Sequence, residues 1–186
     1  MHLFNKKEKL MYLFGCLALI AAVTLSAPAY TAEKDLSPYG TAKVDMHKYD
    51  KKINRVYDVN YTDPQHLNAL ASFIVNVNKE VEGKSVVVLH GPEIRVFAKE
   101  NYEKYQGIVD KMAGLAKSGV DFRMCNNAMH AAGFEAKDIV GFVTIIPAGF
   151  AELIDLQSKG YQPIIAIVTP VKDSRYLDHP ELKPAK

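Results

Sequence analysis

The chain has 186 residues, 48% of them apolar and 24% charged, with a formal charge of +2. That is the composition of a globular protein with enough residues for one hydrophobic core but not for two. With only two cysteines and no tryptophan, a disulfide-rich scaffold is excluded.

In chain order, Lys6, Lys7 and Lys9 form a basic start, Leu10 to Leu25 is an uncharged apolar run, and Ala27-Pro28-Ala29 supplies small residues for cleavage. Residues 1–29 read as a secretory signal peptide, cut after Ala29 or Ala32, and the mature protein is expected to be periplasmic or secreted. The apolar run is shorter than the roughly 20 residues that cross a bilayer, so no stable membrane insertion is expected after cleavage. Removal changes two properties. The three lysines and one glutamate of residues 1–29 account for the whole +2, so the mature chain is near neutral and has no field to gather nucleic acid. Cys16 leaves with the signal, so Cys125 is the only cysteine of the mature chain and has no intramolecular disulfide partner.

Residues 30–52 are polar, contain Pro38 and Gly40, and read as a flexible N-terminal segment. Residues 53–168 carry the domain. Ile53 to Tyr61 is rich in β-branched and aromatic residues and predicts a strand. Thr62-Asp63-Pro64 predicts a helix start, with Asp63 as a cap. Leu67, Leu70, Ala71, Ile74, Val77 and Val81 then recur at helical spacing. Ser85 to Leu89 is continuously apolar, as in a parallel strand covered on both faces. His90-Gly91-Pro92 breaks it. Tyr105, Ile108, Val109, Met112, Leu115 and Ala116 mark a second helix closed by Ser118-Gly119. Val120 to Phe134 reads as a short strand, a turn carrying Cys125, and the first turns of a helix. Phe142 to Ile146 predicts another buried strand, stopped by Pro147. Phe150, Leu153 and Ile154 mark one face of a helix ending at Gly160, and Pro163 to Val168 is the last strand. Residues 169–186 read as a polar tail.

Strand and helix alternate, which predicts a three-layer α/β/α domain with a mostly parallel sheet of about five strands. Such sheets bind ligands at the carboxyl ends of their strands. Cys125 is the first candidate there. Entering a helix, its sulfur would meet unsatisfied backbone N–H groups and the positive end of the helix dipole, and both favour the thiolate. Asn126 and Asn127 are candidates to stabilise negative charge beside it. His90 and His130 are candidates to shuttle a proton, against the plainer reading of locally bonded loop histidines. Glu93 is an acidic loop residue without an assigned role. No Cys-x-x-Cys or His-x-x-x-His spacing supports a metal site, and no glycine-rich phosphate loop supports a nucleotide, so no cofactor is expected.

Residues Gly119-Val120 through Met124-Cys125, then Ala131-Ala132-Gly133, resemble the DsrE/DsrF-like family, which includes the sulfur-relay subunits DsrE and TusD. Val143 to Pro147, Gly149, Leu153 to Gln157 and Gly160-Tyr161 are similar to its exported single-domain branch. The resemblance implies that Cys125 occupies the position of the sulfur-carrying cysteine. It further implies a parallel sheet, assembly as a homo-oligomeric trimer or hexamer, and sulfur donor and acceptor proteins as partners. The secretory signal departs from the relay subunits, which work in the cytoplasm. The leading expectation is therefore an exported sulfur carrier or sulfurtransferase-type protein with Cys125, open to solvent, as persulfide acceptor. Two alternatives stand beside it: a non-catalytic oligomeric binding module, and a thiol redox sensor forming an intermolecular disulfide.

Overall fold

A computed structural model describes residues 39–166 and 180–184. The signal peptide expected over residues 1–29 falls outside the described residues, as do Ile167, Val168 and most of the tail. Residues 1–45 and 46–186 form separate units. Of the first, residues 39–45 are exposed and carry no helix or strand. The second contains the domain. Among the described residues, no helix is long and apolar enough to cross a membrane.

The elements are β1 (Arg55–Val59), α1 (His66–Glu80), β2 (Ser85–Leu89), α2 (Tyr102–Lys117), β3 (Asp121–Cys125), α3 (Asn126–Ala131), β4 (Val143–Ile146), α4 (Gly149–Ser158) and β5 (Gln162–Ile165). Short 3₁₀ turns at Pro92–Phe97 and Lys99–Asn101 bridge β2 to α2. The five strands form one sheet in the order β4-β3-β2-β1-β5, and every pairing is parallel. The chain steps outward from β1 to β4 and then returns to pair β5 with β1. Right-handed crossovers place helices on opposite faces when the direction of stepping reverses. Accordingly, α1 and α2 pack on Tyr57, Val59, Val87, Leu89, Phe122 and Met124, whereas Leu153 and Leu156 of α4 pack on Val56, Val86 and Val88. The result is a three-layer α/β/α domain whose larger core lies under α1 and α2.

Burial follows strand position. All five residues of the central strand β2 are buried. The strand over Phe142 to Ile146, expected to be buried, is only partly covered, because β4 is an edge with one neighbour. On α4, Leu153 is buried as expected, but Phe150 is 67% and Ile154 69% exposed. Among the described residues α4 is the one helix on this face, and it covers the sheet only along its own contact line. The other edge, β5, contains Pro163 in register with Val56, while the N–H of Gln162 donates to Asn54 O at 2.8 Å.

Local chemistry adjusts the helix ends. The first helix begins at His66 rather than Pro64, because a turn intervenes in which the N–H of His66 donates to Asp63 O. Asp63 still caps that turn, its Oδ1 accepting the N–H of Gln65 at 2.9 Å. The second helix starts earlier than its apolar pattern, at Tyr102, and is kinked at Tyr105. Gly83 sits at φ 136°, and a Cβ there would stand 2.1 Å from Ile53 O, so only glycine lets the chain turn into β2.

The amino end of the sheet is held by a buried arginine that sequence reasoning missed. Arg55, 3% exposed, donates from Nε to Ser85 Oγ at 3.0 Å, from Nη1 to Ile53 O at 2.9 Å and from Nη2 to Asn78 Oδ1 at 2.6 Å. One guanidinium thereby ties β1 to β2 and α1, using the planar fork that a lysine lacks.

Candidate functional site

The carboxyl ends of β1, β2 and β3 lie side by side, and the sheet register decides which side chains share a face. Asp58 pairs with Val88, and Val88 with Arg123. Side chains alternate along a strand, so Asp58, His90 and Cys125 all fall on the α4 side of the sheet.

Cys125 is the last residue of β3, and α3 follows directly with no intervening turn. Its Sγ accepts the N–H of Ala128 at 3.4 Å, so the thiol itself caps the helix. Two expectations about this group need correction. The sulfur is not open to solvent: Cys125 is 7% exposed. The cause is α4, whose first residue packs against it; a Cβ placed on Gly149 would stand 3.3 Å from Cys125 Cβ and 2.9 Å from His90 Cβ. The dipole contribution is also small, because α3 has only six residues and few aligned peptide units. What remains is one local backbone donor.

Of the other predicted site residues, His90 is brought to the site. Its Nε2–H donates to Asp58 Oδ1 at 2.6 Å, and its ring centroid lies 4.9 Å from that of Phe150. The contact fixes the tautomer and orientation of the imidazole. Asn126 is half-buried and Asn127 exposed, and among the described residues the donor to Sγ is the backbone of Ala128 rather than either side chain. His130 is exposed near the end of α3, away from the lining of the cleft described next.

A cleft of about 790 Å³ opens over the ends of β1 and β5, lined by Asp58, Tyr61, His66, His90, Arg95, Phe150 and Ile165 among others. This is the point where the strand order reverses, the usual location of ligand sites in open α/β sheets. Cys125 does not line it, but His90 does, and His90 and Cys125 pack against the same glycine.

Glu93 does not line the cleft but is fully buried and hydrogen-bonded to the backbone of the lining residue Tyr61. Its Oε2 accepts the N–H of Tyr61 at 2.7 Å and its Oε1 the N–H of Gly91 at 2.9 Å. One carboxylate thus joins the segment leaving β1 to the segment leaving β2, on either side of the Asp58–His90 contact. Burial pushes the Glu93 carboxyl up from its ordinary value, opposed by those two N–H groups. Tyr61 donates its hydroxyl to Ala166 O at 2.5 Å. Burial, reinforced by the charges of Glu93 and Asp58, pushes this phenol up to about 12.

Asp58 and Glu93 are the candidate-site residues to which sequence reading assigned no role. An acid inside the β-branched run Arg55–Val59 was the available signal for Asp58. Glu93 became meaningful only once the two segments it joins were seen to be adjacent. Among the described residues, no group of three His, Cys, Asp or Glu side chains is arranged to hold a metal ion.

The sequence profile of the DsrE/DsrF-like family matches residues 54–165, which span the sheet from β1 to β5 and include Cys125, His90, Asp58 and Glu93. The chain belongs to the DsrE/DsrF-like family. A solved protein of unknown function from Methanobacterium thermoautotrophicum superposes with a TM-score of 0.55 at 20% identity, over 62% of this chain and 100% of that one. At that identity the likeness bears on the fold alone. Comparison with curated proteins returned no match. The DsrE-like family is linked to sulfur relay, and Cys125 is the one free cysteine among the described residues of this member.

Proposed function

We propose that this DsrE-like protein is an exported sulfur carrier in which Cys125 accepts and passes on sulfane sulfur. The observation that carries the reading is the placement of Cys125: the terminal residue of the interior parallel strand β3, its Sγ facing the N–H of Ala128, beside a histidine oriented by Asp58. In the forward step the Cys125 thiolate attacks a sulfane sulfur, a new S–S bond forms, and the S–S bond of the donor breaks. With thiosulfate the leaving group is sulfite; with polysulfide it is a polysulfide shorter by one sulfur. No outside oxidant is needed, because the transferred atom already carries the oxidised state. The Ala128 N–H supports negative charge on Sγ. The His90–Asp58 pair is the nearby group suited to proton exchange. Self-association as a trimer or hexamer is part of the same proposal, and the exposed Ile154 on α4 supports an interface there.

The test is intact-mass analysis of the purified chain after incubation with thiosulfate or polysulfide. A gain of one sulfur, about 32 Da, reversed by dithiothreitol and absent in Cys125→Ser, is the expected result. A second reading, the non-catalytic binding module, is favoured by the 7% exposure of Cys125 and by a cleft that the sulfur does not line. A chain that gains no sulfur and resists alkylation while folded would establish the module in place of the carrier.

A further inference from the structure

We propose that the cleft over β1 and β5 is the donor site of the carrier, and that the donor it takes is an organic persulfide, R–S–SH, with an apolar R group. The proposal rests on the carrier reading and names its substrate class.

Three observations carry it. The first is size. A volume of about 790 Å³ falls within the roughly 300–1,000 Å³ of small-molecule pockets, and a bare inorganic polysulfide would leave most of it unfilled. The second is the character of the walls. Phe150 and Ile165 stand 67% and 76% exposed at the cleft with no cover among the described residues, and the Tyr61 ring lies on the lining with them. Apolar side chains left in water around a concavity gain most from an apolar occupant. The third is the connection to the thiol. His90 lines the cleft, Phe150 packs on its ring, and His90 and Cys125 meet at Gly149, the residue that precedes Phe150 and has no side chain. A donor whose carbon body lies on Phe150 and Ile165 can extend its sulfur end toward His90, and Cys125, which does not itself line the cleft, lies against the same Gly149 as that ring.

The transfer balances without a further reagent. Cys125–SH and R–S–SH give Cys125–S–SH and R–SH. The Cys125 thiolate attacks the terminal sulfur, the S–S bond of the donor breaks, and the departing R–S⁻ takes up the proton that Cys125 gave up. His90 is placed to relay that proton.

The experiment compares benzyl persulfide, released in situ from a caged precursor, with inorganic tetrasulfide. It uses the purified chain and its Phe150→Ala and Ile165→Ser variants, whose parent side chains are largely exposed. The rate of sulfur gain at Cys125 is read by intact mass. In parallel, benzyl methyl sulfide, which has no sulfane sulfur, is titrated while the imidazole signals of His66 and His90 are followed by NMR. The expected results are a fall of about tenfold in the ratio of benzyl persulfide to tetrasulfide rate constants in each variant, and saturable shifts in the parent chain that weaken in both variants. An unchanged ratio without saturable shifts, while tetrasulfide still labels Cys125, overturns the donor assignment and leaves the carrier reading standing. Failure of both donors to label Cys125 overturns the carrier reading, and the donor assignment with it.

Discussion

Gly149 and His90 are packed so closely that a single added carbon on the glycine would stand 2.9 Å from His90 Cβ. The same carbon would stand 3.3 Å from Cys125 Cβ. Gly149→Ala therefore forces α4 or His90 to move. The expected cost is about 1–3 kcal/mol in urea denaturation, as for other overpacked sites. A slower sulfur gain at Cys125 should accompany it. Stability and labelling both equal to the parent would show that α4 is free to shift and that the contact does not position the site.

Glu93 gives a prediction in pH. Its carboxyl titrates above the ordinary value of 4.5 in the folded chain. The folded state therefore holds this proton more tightly than the unfolded one. The stabilisation from Glu93 is complete below about pH 4.5 and is lost as pH rises through the folded value. Glu93→Gln removes that dependence, so its stability should vary less with pH above 4.5 than the parent's. Parallel stability–pH curves for parent and variant would contradict this assignment.

Tyr61 should be the late-titrating phenol. Its folded value of about 12 exceeds the ordinary 10.0, so unfolding releases a proton between those limits and stability falls as pH rises through that window. Tyr61→Phe should remove the late component from the ultraviolet titration of the tyrosines and flatten the alkaline loss of stability. If the late component persists in the variant, another tyrosine is responsible.

Arg55 lies at the end of the sheet opposite Cys125. Arg55→Ala strips charged hydrogen bonds from Ser85, Asn78 and Ile53, with an expected loss of about 2–3 kcal/mol. Sulfur gain at Cys125 should continue at the parental rate under conditions where the variant stays folded. Arg55→Lys should recover only part of the stability, because an ammonium cannot reach three divergent acceptors in one plane. Full recovery with lysine would mean that charge rather than shape matters there.

Self-association through α4 is open to a direct check. Ile154→Asp should shift the sedimentation coefficient toward that of a single chain without unfolding it, since this side chain is 69% exposed. An unchanged coefficient would exclude α4 from any interface.

The fold was largely readable because its signals are local. Continuous apolar runs such as Ser85–Leu89 and helical spacing such as Leu67, Leu70, Ala71, Ile74 report burial directly. The errors fell where burial depends on neighbours distant in sequence. Phe142–Ile146 reads like a core strand, yet strand order makes it an edge. Ile154 reads like a core residue, yet among the described residues α4 is the one helix on its face. The site divides in the same way. Cys125 and His90 could be singled out by residue type at strand ends. Asp58 and Glu93 could not, because their roles come from parallel register and from two segments that meet only in space. The covering of Cys125 depends on Gly149, and no pattern near Cys125 announces it.

Pro163 leaves its mark on how the domain behaves in a crowd. Gln162 directs its N–H inward to Asn54, so by alternation the position of Pro163 faces outward, and there the ring nitrogen has no hydrogen to offer. A stray extended chain approaching β5 finds a gap in the row of donors it would need to zip on, which guards this flank of the sheet against runaway polymerisation.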